Sequence, residues 1–451
     1  LPLALYLLSF IICFDHDRWY WRPCWIMLLA VALWGSHYAL DKGEDLTSLV
    51  QVCIYPGILF ICCMVCHGEL ARLKPHPRFL TGYYLLIALG GAVGGVFVTL
   101  VAPRLFLGFW EFQGGLVACG LLLIIVLLRD RSDQSQRAWR TWLRLGGCAA
   151  GLALLTVLAV AFVDQVPTVY YAQSRNFYGI LSIESCTDDE QDEDLSVLEL
   201  THGRITHGSQ FVDEEYRSLP ASYYGPGSGV DVADTVLRSR ASNEDGRSMN
   251  LRIGVVGLGA GVVSAYGKKG DYIRFYEINP DVIRLSDAYF SYRRDSPAVS
   301  EVVLGDARLS MERAKERGEK GQFDMIVLDA FSGDAIPLHL MTREAMAIYL
   351  HHLKPDGVVA FHVSNRHVEL EGLVRGLAAD AGQRDVLIET DDDCFGYSSS
   401  TWVLVTACPY LMELLKEQPC FQPWPDDLPA PPGIHRRLQQ CLSTAQVGLR
   451  R

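Results

Sequence analysis

Residues 252–261, Arg-Ile-Gly-Val-Val-Gly-Leu-Gly-Ala-Gly, carry an apolar strand straight into a glycine turn spaced G-x-G-x-G. A second apolar run, Tyr272–Ile278, holds Glu277 near its end. A strand, a tight glycine turn and a helix bring bare backbone close to a ligand, and a carboxylate about twenty residues further on grips ribose hydroxyls. Doubly wound α/β domains hold adenosine-bearing cofactors in this way. The dinucleotide form of the turn needs glycine at the position that Val262 occupies here. An S-adenosyl sulfonium compound, which has no pyrophosphate, therefore fits Gly257, Gly259 and Gly261 better than NAD does.

Further apolar runs of strand length follow at Glu301–Asp306, Phe323–Asp329, Val358–Ser364, Val386–Thr390 and Trp402–Ala407, with helical stretches between most of them. The alternation predicts a parallel sheet covered on both faces, with ligands at the carboxyl ends of its strands. Glu277, Asp306 and Asp329 all fall at such ends. One of them alone would read as a solvated loop acid; three on the same rim point to a site.

The first third of the chain has a different character. Apolar segments at Leu3–Phe14, Cys24–Leu40, Leu46–Cys66, Phe79–Ala102, Phe112–Leu128 and Leu145–Val163 mostly approach the length that crosses a bilayer. The sequence starts at Leu1 without methionine, which reads as a fragment lacking upstream spans; a signal peptide is the alternative, opposed by the missing basic n-region and by the spans that follow. Gly90, Gly91, Gly94 and Gly95 predict close helix packing. Arginine and lysine collect in alternate loops, which puts the odd-numbered loops in the cytoplasm and everything after Val163 outside. For an enzyme fed by a cytosolic nucleoside, either the last segment does not fully cross or the domain faces outward.

A formal net charge of −12 without a basic stripe argues against nucleic acid as a partner and suits a cationic substrate. Eight of the thirteen cysteines precede Val163 in apolar runs, where cysteine acts as a small hydrophobe. Cys63 and Cys66 form a C-x-x-C beside His67 with no second ligand pair, so no metal is expected. After the apolar third, residues 164–240 read as a β-rich lead-in with strands in Val169–Glu184, Ser196–Thr201 and Arg204–Val212, an acidic hairpin tip at Asp188–Asp194, and a helix over Val232–Arg238. Residues 241–418 form the catalytic domain and 419–451 a Pro-rich tail.

The run Asp329-Ala-Phe-Ser-Gly-Asp334-Ala-Ile-Pro337, together with the glycine turn, Glu277 and Gly305-Asp306-Ala307, resembles the spermidine synthase family of aminopropyltransferases. The segments Arg175–Gly179, His202-Gly203 and His207–Gln210, with the glycine-rich span near Ala88–Gly95, are similar to its membrane-embedded branch, in which a major-facilitator-like region is fused to the synthase. The resemblance implies a multi-pass α-helical membrane region of about six helices, in a bacterial cell membrane. A small β-rich segment and an α/β Rossmann-like class I S-adenosylmethionine-dependent transferase domain follow it. It implies transfer of an aminopropyl group from decarboxylated S-adenosylmethionine to putrescine or a related amine, without metal; a homo-oligomer is left open.

By the same resemblance, Asp329 is the base or amine-orienting carboxylate and Asp334 holds the far amine, unless it is a simple turn acid. Glu277 binds ribose, Asp306 and Ala307 meet adenine, and Gln210 contacts the cofactor. Tyr223 or Tyr224 assists deprotonation, or else a buried tyrosine anchors the domain. His202 and His207 read as structural residues that pin a hairpin. The chain departs from the soluble enzymes in two places: Ala260 stands where they carry an aspartate for the aminopropyl ammonium, and their aspartate pair lies closer together than Asp329 and Asp334. These departures keep two alternatives in play: a methyltransferase using intact S-adenosylmethionine, and a transporter-like membrane protein whose domain binds polyamine or nucleoside without turnover.

Overall fold

The computed structural model describes residues 1–42, 46–129, 138–164, 170–187, 196–203, 205–245, 250–330, 337–365, 368–390 and 396–417. The acidic run at 188–194, Asp334 and the Pro-rich tail lie outside them. The chain divides into two units, Leu1–Thr168 and Val169–Arg451.

Among its described residues the first unit has helices and no strand. Five of its helices, Arg22–Leu40, Leu49–Arg72, Pro77–Leu105, Trp110–Arg129 and Leu145–Phe162, are long and apolar enough to cross a membrane, judged by length and composition. Pro2–Asp15 is shorter. Leu29, Leu33, Ile58, Val65, Leu116, Leu123, Leu155 and Leu158 form a core shared by Arg22–Leu40, Leu49–Arg72, Trp110–Arg129 and Leu145–Phe162. Gly120 permits close approach of Leu155, whose side chain lies 2.7 Å from where a Cβ would stand. The expected close packing at Gly90, Gly91, Gly94 and Gly95 is not seen among the described residues, none of which comes within 4 Å of a Cβ placed on any of them. Cys66 and Cys119 approach to 3.6 Å between sulfurs, and His67 Nδ1 lies 3.0 Å from Ser9 Oγ. No cluster suited to a metal ion occurs among the described residues.

The second unit opens with four antiparallel strands in chain order, β1 (Tyr170–Asn176), β2 (Gly179–Thr187), β3 (Ser196–His202) and β4 (Ile205–Phe211). The helix expected at Val232–Arg238 extends over Gly229–Asp245. Seven strands then form one sheet: β5 (Arg252–Val256), β6 (Tyr272–Glu277), β7 (Val299–Leu304), β8 (Phe323–Leu328), β9 (Leu353–His362), β10 (Arg384–Thr390) and β11 (Ser400–Thr406). Their order is β10-β11-β9-β8-β5-β6-β7.

Strands β5 to β9 are parallel, as their alternation with helices predicts. The all-parallel expectation fails at β11, which runs antiparallel to both β9 and β10. The connection 391–399 is too short for the crossover that parallel neighbours require, about a dozen residues or more, so β11 turns back between its neighbours. Both faces of the sheet are buried. Along β8, Met325 and Val327 join a core that includes Val236, Leu285 and Leu411 of the helices on one face, while Ile326 and Leu328 join Met311, Tyr349 and Val374 on the other. That two-sided burial is why the strand reads as a continuous apolar run with no alternation.

The helix Pro280–Tyr289 ties the two sheets together. Asp281 accepts hydrogen bonds from Ser174 Oγ and Asn176 Nδ2 of β1, both at 2.8 Å. Asn279 caps the same helix by accepting from the Asp281 amide.

Candidate active site

Gly257, Gly259 and Gly261 all adopt positive φ, at +98°, +53° and +84°. Two of them also answer to packing. A Cβ on Gly257 would lie 2.3 Å from the Asp329 carbonyl oxygen, and one on Gly259 would lie 2.3 Å from the His207 carbonyl oxygen. That His207 carbonyl accepts a hydrogen bond from the Ala260 amide at 3.1 Å, so β4 sits directly on the glycine turn. Ala260 is itself buried, and a Cβ on Gly208 would come within 2.9 Å of its methyl group.

A cavity opens at the carboxyl rim of β5, β6, β7 and β8, where the sheet topology predicts a ligand. Its wall includes Gly257, Leu258 and Gly259 of the turn, Glu277 after β6, Gly305, Asp306 and Ala307 after β7, and Asp329 after β8. The small sheet contributes Tyr178, His202 and His207, and Tyr223 closes one side. The three acids singled out by the sequence thus share one cavity. Gly261 is absent from its wall; its place is at the start of the 3-10 turn Val262–Tyr266, against Arg293 and Ser286.

Glu277 is buried and accepts from the Leu258 amide at 3.0 Å and the Asn279 amide at 2.8 Å. Burial raises its pKa against the pull of those backbone donors. The Leu258 amide of the turn and the Asn279 amide after β6 thus hold this acid on the cavity wall. Asp306 caps the helix Ala307–Glu316 by accepting from the Leu309 amide at 2.8 Å, and its other oxygen meets His339 Nε2 at 2.7 Å.

Asp329 is the most heavily engaged acid. One oxygen accepts from Tyr223 Oη at 2.9 Å and from Tyr224 Oη; the other lies 2.7 Å from His362 Nδ1. Burial would raise its pKa, but the charge and hydrogen bond of His362 and the Tyr224 hydroxyl outweigh it and hold the carboxyl below its ordinary value. Burial and the adjacent Asp329 charge push both tyrosines well above 10, so both stay protonated donors. The His362 ring is stacked between Tyr223, at 4.5 Å and 19°, and Trp402, at 4.7 Å and 22°. His362 Nε2 meets Ser364 Oγ at 3.0 Å, and that oxygen accepts from the Thr401 amide at 2.8 Å.

Sequence reasoning missed His362, which lies inside an apolar strand and looks like a core position. The geometry also moves Gln210 away from the cavity. Its amide donates to Arg217 O at 2.7 Å and Ser291 Oγ at 3.0 Å and accepts from the Ser291 amide at 2.8 Å, so the side chain is spent on joining β4 to the turn before the helix Tyr292–Asp295. His202 does pin a hairpin, with Nε2 at 2.8 Å from Tyr178 O. His207 does not: it lines the cavity, and its Nε2 is buried with no hydrogen-bond partner among the described residues.

A mixed seven-stranded sheet with a glycine turn after its first strand and acids after the next three is a Rossmann-like α/β fold with a cavity at the carboxyl ends of its strands. Over 111 residues the chain is 38% identical to a polyamine aminopropyltransferase of Vibrio vulnificus (strain CMCP6), a stretch covering 24% of this chain and 36% of that protein. The chain therefore spans about a third of that relative's length and is homologous to it over part of its own. It is also 34% identical over 109 residues to an N-terminal histidine N-methyltransferase of Emericella nidulans, covering 24% of this chain and 19% of that one. Among solved structures, the spermidine synthase of Thermotoga maritima shares 14% identity over 60% of this chain and 88% of its own, with a TM-score of 0.37. No family profile matches the chain.

Proposed function

We propose that the chain is a membrane-bound aminopropyltransferase-like enzyme that moves an aminopropyl group from decarboxylated S-adenosylmethionine to putrescine or a related small cationic amine. The observation that carries this reading is Asp329: a buried carboxylate, fixed by two tyrosines and a histidine, on the wall of the same cavity as Glu277 and Asp306. The five long apolar helices support a bilayer as the setting.

The glycine turn and the residues after β6 and β7 fit a nucleoside. Leu258 and Gly259 offer backbone, Glu277 offers carboxylate lone pairs to ribose hydroxyls, and Asp306 with Ala307 borders the space that adenine would take. The donor supplies a sulfonium, already a good leaving group. On the other side, Asp329 stays anionic at neutral pH because His362 and the tyrosines stabilise its charge. It attracts the acceptor ammonium, and its fixed orientation directs the nitrogen once that nitrogen has passed one proton to water. The nitrogen attacks the carbon next to sulfur, the carbon–sulfur bond breaks with its electron pair passing to sulfur, and the new ammonium sheds a proton to Asp329 or water. Tyr223 and Tyr224 keep the carboxylate in place throughout.

A methyltransferase using the intact donor is the second reading, favoured by Ala260. In this structure the Ala260 methyl faces Gly208, which leaves no acid in the turn to hold an aminopropyl ammonium. The deciding experiment incubates the purified full chain with putrescine and donors labelled on the aminopropyl or the methyl group. Labelled spermidine supports the proposal, a methylated amine replaces it with the second reading, and binding without either product removes both.

A further inference from the structure

Four histidines stand at or beside the cavity, and three have hydrogen-bond partners. His202 meets Tyr178 O, His339 meets Asp306, and His362 is held at both nitrogens. His207 alone among them has no hydrogen bond to any described residue, and its Nε2 is closed off from solvent. An imidazole left unsatisfied at a cavity wall costs about 1–3 kcal/mol unless a ligand completes it. The backbone of His207 packs its carbonyl on Ala260 and Gly259, and its ring lies 5.6 Å from that of His202, a contact that satisfies neither ring nitrogen.

The surroundings define what the ring can take. Asp329 after β8, His362 on β9 and His202 on β3 are the charged or titratable groups that act on it electrostatically. Burial, only partly offset by the Asp329 charge, lowers its pKa to about 4, so the ring is neutral at physiological pH and keeps a free lone pair. A neutral imidazole on the same cavity wall as a fixed carboxylate can accept an N–H from a group that also pairs with that carboxylate. An amine has both features.

We propose that His207 is an amine-contacting residue: its imidazole accepts a hydrogen bond from the nitrogen that Asp329 attracts, so the two side chains hold the reacting amine from β4 and β8 together. This deepens the aminopropyltransferase reading and rests on it. It also ties the small antiparallel sheet to acceptor binding.

The test measures binding as well as turnover, so that its failure can be told apart from failure of the function. Full-length protein loaded with methylthioadenosine is titrated calorimetrically with putrescine, as wild type, His207→Ala and His207→Gln. The expected result is putrescine binding about tenfold weaker in His207→Ala, with partial recovery in His207→Gln, whose amide can accept. Methylthioadenosine affinity should stay within about twofold in both, since no adenosine-side group changes. In turnover assays the loss should fall on KM for the amine more than on kcat.

Putrescine affinity within twofold of wild type in His207→Ala overturns the inference, as does an equal loss of methylthioadenosine affinity, which marks a purely structural residue. If wild type binds putrescine but transfers nothing, the transferase reading falls while the contact is still judged by the binding ratio. If wild type binds no putrescine at all, both fall.

Discussion

Replacing Asp329 with asparagine changes charge while nearly preserving shape. The carboxylate accepts from Tyr223, Tyr224 and His362, and an amide offers only one accepting oxygen. The side chain can keep that oxygen toward the two tyrosines and turn its NH2 to His362. The imidazole then accepts at Nδ1 and donates from Nε2 to Ser364 Oγ, 3.0 Å away. Each of the three hydrogen bonds to a charged group, worth about 1.5–3 kcal/mol, becomes a neutral one worth about 0.5–1.5, so the fold loses on the order of 3–4.5 kcal/mol and survives. Transfer loses the anion that gathers and orients the amine, and groups of this kind contribute about 10²–10⁴-fold. Glu277 and Asp306 are untouched, so nucleoside affinity should change by no more than about threefold. Single-turnover transfer of labelled aminopropyl from saturating donor gives the rate, and calorimetry with methylthioadenosine gives the affinity, both on the full chain. A rate within threefold of wild type, or an affinity that falls in step with the rate, refutes the assignment of Asp329 to the amine side.

Glu277→Ala should act in reverse, weakening methylthioadenosine about 10–100-fold by removing a charged acceptor and leaving the Leu258 and Asn279 amides unpaired; unchanged calorimetric affinity undoes the ribose role. Gly259→Ala drives a Cβ to 2.3 Å from the His207 carbonyl at a positive φ, and a thermal melt should show destabilisation of about 1–3 kcal/mol. His207 titrates near 6.5 when unfolded but is lowered to about 4 in the fold, so between those values the unfolded chain binds more protons. Stability should therefore fall as pH drops from about 6.5 to 4, by up to about 3 kcal/mol from this group, and His207→Gln should flatten that part of a pH–stability profile.

The sequence made legible what depends on period and spacing. Strands β5 to β9 announce themselves as apolar runs between helices, and Glu277, Asp306 and Asp329 follow from the rule that ligands sit at strand carboxyl ends. Strand direction carries no such mark: β11 reads as apolar whichever way it runs, and its reversal is settled by the short connection to β10. Side-chain partners are equally silent. Gln210 and His207 stand three positions apart on β4, yet one is saturated by Ser291 and Arg217 while the Nε2 of the other has no partner among the described residues. His362 owes its place beside Asp329 to the register between β8 and β9, where Leu328 pairs with Phe361, and a pattern of apolar residues cannot fix that pairing.

The seating of the His207 carbonyl on Gly259 bears on how this chain can be cut. A fragment beginning at Asn250 would keep every strand of the larger sheet but strip the roof from its glycine turn, along with Tyr178, His202 and His207 from the cavity wall. Trimming for crystallisation or for a minimal catalyst should begin upstream of Tyr170, because the four-stranded meander is one side of the vessel in which the reaction is proposed to run.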